Sequence, residues 1–297
     1  MALIYGQSEM SNEHLFLSVG AMKAGTTWLH QQLATHKDIH FCPEKEIHYF
    51  ADPNGKSYMS ATGRVQRYQQ VVRNLTPDRL NPHVQRNLAW YGSHYLSAEV
   101  NDDWYTSLFE TRAPVKKNAK YVADFSNLYA TLDIQGWDHI RSVYPQVKAI
   151  YTMRHPAKRM WSHFKFQYEH SGRASELADI SQDKIDYFLR EAAFTDHIDY
   201  AGAVERLRNI LSPEQIEFFF FEDFRERPLE SLSKIEKFLD ITPGEYREDR
   251  LNKKVNPSTG IEIPDIFRNA VNPLHTQQCE RLTALGFTLP ESWAKAL

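Results

Sequence analysis

The 297-residue chain sets 35 lysines and arginines against 38 aspartates and glutamates, a formal charge of −3. That balance excludes a general nucleic-acid binder, so any anion site must be a local basic pocket. Hydrophobic residues make up 42% and charged residues 25%, as in an ordinary soluble globular protein, and the length suffices for one large α/β domain or two small ones. Only Cys42 and Cys279 occur, without metal-type spacing, which suits a reducing compartment; the expected location is cytoplasmic. The opening stretch MALIYGQSEMSNEH has no basic region leading an apolar core, and no run approaches membrane-spanning length. Neither a secretory signal nor a membrane span is therefore expected. No repeat or low-complexity stretch offers a linker, so residues 1–297 are expected to form a single domain.

The first element, Leu15 to Val19, is a short apolar run rich in branched and aromatic residues and stopped by Gly20, which predicts a buried strand. The loop GAMKAGTT follows, and Thr27 to Thr35 places Trp28, Leu29 and Leu33 at helical spacing. A strand, a loop of small residues and a helix start form the geometry that grips a phosphate, because backbone N–H groups can approach the anion and the helix N-terminus adds partial positive charge. A plain glycine turn is the bland alternative. The loop misses the nucleotide triphosphatase pattern GxxxxGK[ST]: Thr26 stands where the lysine belongs, and Lys23 lies three residues earlier. With no isolated acidic strand end to hold magnesium, a metal-bound triphosphate is disfavoured and no metal ligands are expected.

Ile39 to Cys42 reads as a short extended piece stopped by Pro43, and EKEIHYF follows from Glu44 to Phe50. A carboxylate just beyond a phosphate loop can serve as the base that removes an acceptor proton, although a charged turn before packed aromatics fits the bare residues as well. Residues 51–114 mix aromatic and basic side chains, among them Arg67, Trp90, Tyr91 and Tyr95. Rings stack on sugar faces and arginines pair with carboxylate or sulfate, so an acceptor-binding insertion is one reading. A helical insertion that packs its rings inside is the other. Trp104 to Phe109 is expected to open a helix.

Ala119 to Phe125 reads as a strand, Ile134 to Tyr144 as a helix, and Val147 to Met153 as another apolar strand. RHPAKRMWS then runs from Arg154 to Ser162, with a proline suited to the first turn of a helix. Arg154 at the strand end and Ser162 about two turns on could converge on one anion; a merely basic helix start is the alternative. Ser181 to Phe194 reads as an amphipathic helix with Ile185, Phe188 and Leu189 on one side. Gln215 to Phe221 is a strongly apolar strand, and Pro228 to Leu239 is a helix with Leu232, Ile235, Phe238 and Leu239 inward. Alternating strands and helices argue for a parallel sheet covered by helices on both faces, with ligands at the strand C-terminal ends.

The segment MKAGTTWL from Met22 to Leu29 resembles the 5′-phosphosulfate loop, [PR]KxGTTxL, of the sulfotransferases that use 3′-phosphoadenosine 5′-phosphosulfate (PAPS). RHPAKRMWS matches that family's 3′-phosphate motif RxPxxRxxS at all four fixed positions, and KEIHYF resembles the [KN]E[PVI]HFF motif of the heparan-sulfate-type and bacterial branch. The resemblance implies an α/β, P-loop-like parallel sheet flanked by helices on both faces, and transfer of a sulfonate from PAPS to a hydroxyl with release of 3′,5′-ADP (PAP). It implies Glu46 as general base, His48 orienting the acceptor or the glutamate, and Lys23 as a catalytic cation, with Lys45 a candidate sulfonate contact. Glu44 has no matched role.

For the nucleotide the resemblance implies Lys23, Ala24, Gly25, Thr26 and Thr27 on the sulfonate side, Trp28 against adenine, Arg154 and Ser162 on the 3′-phosphate, and Arg159 as a structural ion-pair partner. Tyr200, in a segment like the family's GxYxxxLxxW helix, is a candidate nucleotide contact, a core tyrosine being the alternative. Lys253 or Lys254 in the loop after Leu251 is expected to reach the 3′-phosphate. VADFSNLY resembles [GV]E[KX][ST]PxY, with Asp124, Ser126 and Tyr129 at the fixed positions. Phe125 stands where several relatives have a catalytic lysine, and Asn127 replaces the usual proline. The segment FEDFRERPLESLSKIEKFLDI is expected to be architectural. The implied partner is a hydroxyl-bearing acceptor, a carbohydrate first and a lipid or small-molecule alcohol second. The alternatives are a magnesium-dependent kinase on the same loop and a relative that binds nucleotide or polysaccharide without turnover.

Overall fold

The computed structural model describes residues 14–51, 60–97, 99–110, 118–253, 255 and 260–294. Five parallel strands form one sheet: β1 (His14–Ser18), β2 (Ile39–Phe41), β3 (Tyr121–Phe125), β4 (Gln146–Met153) and β5 (Ile216–Phe220), in the order β2-β3-β1-β4-β5. The strands are nearly continuous apolar runs because both faces are covered. Leu15, Leu17 and Val19 face one core with Val147, Ala149 and Tyr151; Phe16 faces the other with Ala123, Phe125 and Ile150. Burying each such large side chain contributes roughly 1.5–3 kcal/mol, so the alternation fixes which helices cover which face.

Around the sheet lie α1 (Thr26–Leu33), α2 (Ala61–Arg73), α3 (Pro82–Trp90), α4 (Asp102–Ser107), α5 (Ile134–Val143), α6 (Pro156–His170), α7 (Gln182–Arg190), α8 (Ala192–Thr195), α9 (Tyr200–Ile210), α10 (Phe221–Glu226), α11 (Pro228–Leu239), α12 (Glu248–Leu251) and α13 (Asp265–Ala284). Leu29 and Leu33 of α1 pack with Leu232, Ile235 and Leu239 of α11 on one face. On the other, Trp137 and Ile140 of α5 and Val204 and Leu207 of α9 join the rings of the 61–109 helices. Pro156 and Pro228 each open a helix at a position where the missing N–H costs nothing.

The amphipathic run at 181–194 is not one helix. Glu191 is extended (φ −74°, ψ 119°) and separates α7 from α8. In a straight helix Phe188 and Phe194, six residues apart at about 100° per residue, would point some 120° apart. The break brings their ring centroids to 3.8 Å in a shared cluster with Phe164 and Phe267.

The 61–109 helices also decide between the two readings of their aromatics. Trp90, Tyr91, Tyr95, Trp104 and Tyr105 are buried, so most of these rings build core rather than a sugar platform. No helix among the described residues is long and apolar enough to cross a membrane.

Strand order reverses between β1 and β4, so the loops leaving those two neighbouring strands splay apart and leave a crevice at their C-terminal ends. Pairing continues past β1, with Val19 N donating to Ile150 O (3.0 Å), Ala21 N to Thr152 O (2.8 Å) and Thr152 N to Gly20 O (2.8 Å). This ladder carries the start of the glycine loop alongside the end of β4.

Candidate active site

At the C-terminal edge of the sheet lies a cavity of about 1680 Å³. Its lining includes Met22, Lys23, Gly25, Thr26, Thr27 and Trp28 from the first loop, Lys45, Glu46 and His48 from the loop after β2, and Arg154 and Ser162 from β4–α6. These sequence-predicted residues therefore meet in one place. The Arg154 guanidinium donates from Nη1 to the Lys23 carbonyl at 3.0 Å and lies over the Phe221 ring at 4.7 Å.

The first loop has the features of an anion cradle. Gly25 sits at φ +87°, and a Cβ there would meet the Phe221 ring at 2.5 Å, so the position requires glycine on both counts. α1 starts immediately after it, and the N–H groups of its first turn have no intrahelical acceptor. Lys23 is itself left-handed (φ 66°), a conformation that persists in a non-glycine residue only when its surroundings enforce it. Its Nζ lies 4.3 Å from the centre of the Phe166 ring, and burial, then the Arg154 charge, pulls its pKa below the usual lysine value. Ala24, by contrast, is fully buried and its N–H is spent on Ala21 O (3.2 Å), so it offers no donor to a ligand.

Glu46 and His48 both adopt left-handed backbone conformations (φ 66° and 58°), which aims their side chains at each other, with His48 Nε2 at 3.4 Å from Glu46 Oε2. Lys45 Nζ contacts Glu46 Oε1 and donates to Thr26 Oγ1 at 3.4 Å, bridging the carboxylate and the phosphate-type loop. The Asn127 backbone N–H donates to Glu46 Oε2 at 3.1 Å. Burial works to raise the Glu46 pKa, but the Lys45 and His48 charges and the hydrogen bonds from Lys45 and Asn127 outweigh it and hold the carboxyl below its usual value. Asn127 thus supplies an N–H that the proline usual at this position would lack.

Beneath the loop, Asp124 accepts from Ser126 Oγ (2.7 Å), Tyr129 Oη (2.8 Å) and Tyr105 Oη (3.0 Å), and Ser126 Oγ accepts the His48 N–H at 2.9 Å. Complete burial nevertheless pushes the Asp124 pKa up to about 6. Phe125 points into the opposite core against Phe16 and Phe41, so no group there replaces the relatives' lysine, and Lys45 is the cation beside Glu46.

Several expectations are corrected. Tyr200 is fully buried below the cavity, where its hydroxyl donates to Arg154 O at 2.8 Å; it sets the arginine's backbone and has no face for a nucleotide. Arg159 is fully buried but has no carboxylate within ion-pair distance among the described residues; Nη2 donates to Phe194 O (3.3 Å) and Nη1 faces His163 Nδ1 (3.4 Å). Trp28 lines the cavity with one edge, since it stacks on Phe224 (5.6 Å between centroids) and spends its N–H on Leu251 O at 3.1 Å. Lys253 is exposed and lies outside the cavity lining; Lys254 lies outside the described residues.

Sequence reasoning missed Phe166 and the trio Phe221, Phe224 and Arg225, all of which line the cavity. The last three begin the segment read as architectural, and their position directly after the apolar strand β5 was the available signal. α2 contributes Gly63, Gln66, Arg67, Gln70 and Arg73, a polar face at helical spacing.

A crevice at the switch point of a five-stranded parallel sheet, lined by a glycine loop and a second basic helix start, defines an α/β protein with the loop geometry of an anion cradle. A model of the Sulfotransferase family matches residues 16–245, and the chain belongs to that family. Among solved structures it is similar to a sulfotransferase from Alicyclobacillus acidocaldarius, with 21% identity over 94% of this chain and 98% of the other at a TM-score of 0.63. It is also similar to the sulfotransferase domain of the curacin biosynthetic pathway (19%, 93% and 98%, 0.53) and to that of the Synechococcus PCC 7002 olefin synthase (18%, 93% and 95%, 0.51). At such identities the likeness establishes the fold. No curated protein matches the sequence.

Proposed function

We propose that the protein transfers the sulfonate of PAPS to an acceptor hydroxyl, with Glu46 as the general base. The observation that carries this reading is the 3.0 Å hydrogen bond from Arg154 to the Lys23 carbonyl, which joins two anion cradles as neighbouring walls of one cavity. The donor set fits such a ligand: the N–H groups opening α1 with Lys23, Thr26 and Thr27 would hold the 5′ side, and Arg154 with Ser162 the 3′-phosphate. Phe221 supplies aromatic surface between them for a base, flanked by the edges of the stacked Trp28 and Phe224. PAPS would supply an activated sulfonate on a phosphate leaving group.

The chain's own residues then position and neutralise. Glu46, whose ionised form is favoured by the Lys45 and His48 charges and the Asn127 N–H, accepts the proton of the acceptor hydroxyl. A depressed base suits a loose transition state, in which charge builds on the departing oxygen and positioning outweighs basicity. Lys23 faces that charge from the loop, and Lys45 lies between Thr26 and Glu46, where it can serve donor and acceptor sides together. The polar α2 face, with Gln66, Gln70 and Arg73, supports a carbohydrate acceptor over a lipid, whose apolar tail would find little matching surface there.

An acceptor screen with radiolabelled PAPS tests the reading. Label should pass to a hydroxyl compound with the wild type, and Glu46→Gln should abolish transfer while still binding 3′,5′-ADP. Undiminished transfer by Glu46→Gln would remove the base assignment.

A further inference from the structure

We propose that Glu44 is a positioning residue, whose buried carboxylate clasps helix α2 and Tyr91 to the catalytic loop so that the acceptor-side wall and Glu46 are held as one body. This rests on the preceding reading of Glu46 as the base. Glu44 lies two residues before Glu46, its side chain only 4% exposed. A carboxylate taken so far out of water must be paired and hydrogen-bonded. Arg67 Nε donates to both carboxylate oxygens (2.9 and 3.0 Å), its Nη2 lies 2.8 Å from Oε1, and the Tyr91 hydroxyl donates to Oε2. Every one of these partners comes from the 61–95 helices.

The clasp matters because, among the described residues, α2 packs little apolar surface. Its one buried residue is Arg64, which donates to Tyr95 O at 2.6 Å, while Val65 and Val72 are exposed. Apolar packing of the usual helix stripe is thus reduced to the partly buried Tyr68 and Val71, and polar ties carry much of the docking. On the other side, the loop must hold two non-glycine residues left-handed within three positions, which needs anchors at both ends. Ser126 anchors His48 from below, and Glu44 anchors the entry. Arg67 is also part of the cavity lining, and its Nη1 donates to Gln70 Oε1 at 3.1 Å, which fixes the Gln70 amide so that its NH₂ is left to donate. The Arg67–Glu44 ion pair therefore joins the acceptor wall to the loop that carries the base.

The test is Glu44→Gln, which keeps the volume and an acceptor for Tyr91 but removes the charge that Arg67 grips. Arg67 has 43% of its side chain exposed and can rehydrate, so the variant leaves no buried charge stranded. Amide hydrogen exchange with 3′,5′-ADP present should quicken on the order of tenfold in residues 44–48 and 61–73 together, with α1 and α6 unchanged. Binding of 3′,5′-ADP should stay within about threefold, and kcat for transfer from PAPS should fall by roughly 10- to 100-fold at unchanged KM for PAPS, as expected when a base is misplaced. A residue that merely stabilised the fold would quicken exchange across the sheet and weaken 3′,5′-ADP binding in step. Unchanged exchange at 44–48, change confined to 61–73, or an unaltered kcat would overturn the proposal. A wild-type protein that bound no 3′,5′-ADP would instead sink the sulfotransferase mechanism, and the exchange comparison would still decide the clasp.

Discussion

Replacing Asn127 by proline isolates one hydrogen bond at the centre of the mechanism. Asn127 opens the single 3₁₀ turn Asn127–Thr131, where proline's fixed φ fits, and Ser126 before it is extended (φ −121°, ψ 106°), as a residue preceding proline prefers. Backbone strain should therefore be small, and the main loss is the N–H that Glu46 Oε2 accepts at 3.1 Å. A hydrogen bond to a charged group contributes about 1.5–3 kcal/mol. Glu46 retains 29% of its side-chain exposure, so water will replace part of the lost donor and the lower end applies. About 1.5 kcal/mol on the ionised form corresponds to about one pH unit, upward, because the bond favours the carboxylate. The assay is the pH profile of kcat/KM for sulfonate transfer, whose acidic limb reports the base in the free enzyme. Asn127→Pro should move that limb up by about one unit while 3′,5′-ADP binds as before. A limb displaced by less than about a third of a unit would refute the idea that this amide holds the base ionised.

Three further outcomes follow from the same geometry. Lys23→Ala should lower kcat by roughly 10²–10³, the usual cost of losing a charge-directed donor, in a protein with an unchanged thermal midpoint; full turnover would remove Lys23 from the reaction. Gly25→Ala should cost about 1–3 kcal/mol of stability, from the φ of +87° and the Cβ clash with Phe221, and should weaken 3′,5′-ADP binding. Phe221→Ala should relieve only the steric share, as denaturant titration of the double variant will report. Asp124 is an acid whose folded pKa is raised, to about 6 from 3.8. Its protonated form is the one the fold prefers, so the group stabilises fully below the unfolded value and that stability is lost as pH rises through 6. Asp124→Asn should remove a fall on the order of 3 kcal/mol between pH 4 and 7, read as the difference between the two proteins' urea midpoints at each pH.

Most of the sheet was legible because its strands are buried on both faces and therefore read as unbroken apolar runs bounded by glycine, proline or charge. The two basic loops were legible for a related reason: glycine, lysine and arginine at strand ends have few structural uses in combination. What escaped the sequence depends on tertiary position. Ile185, Phe188 and Leu189 have helical spacing in the 181–194 window, and only the common destination of Phe188 and Phe194 in one cluster forces the break at Glu191. Tyr200 sits at a motif position, yet the packing of α9 beneath β4 turns its hydroxyl to the Arg154 backbone. Arg159 looked like half of an ion pair because charge patterns along the chain say nothing of which carboxylates the fold brings near. Glu44 was left without a role since its partners lie 23 and 47 residues further on, in helices whose own pattern is weak.

The central claim is that Lys23 and Arg154 grip the two ends of one ligand. Calorimetry of the wild type and of Arg154→Ala with 3′,5′-ADP and with 5′-AMP, in chelator and without added metal, tests it most directly. The wild type should bind one 3′,5′-ADP, tighter than 5′-AMP by about 100-fold or more, since two charge-assisted contacts to the 3′-phosphate are at stake. Arg154→Ala should erase most of that preference. Equal affinity of the wild type for the two nucleotides, or a preference that survives in Arg154→Ala, would contradict the account.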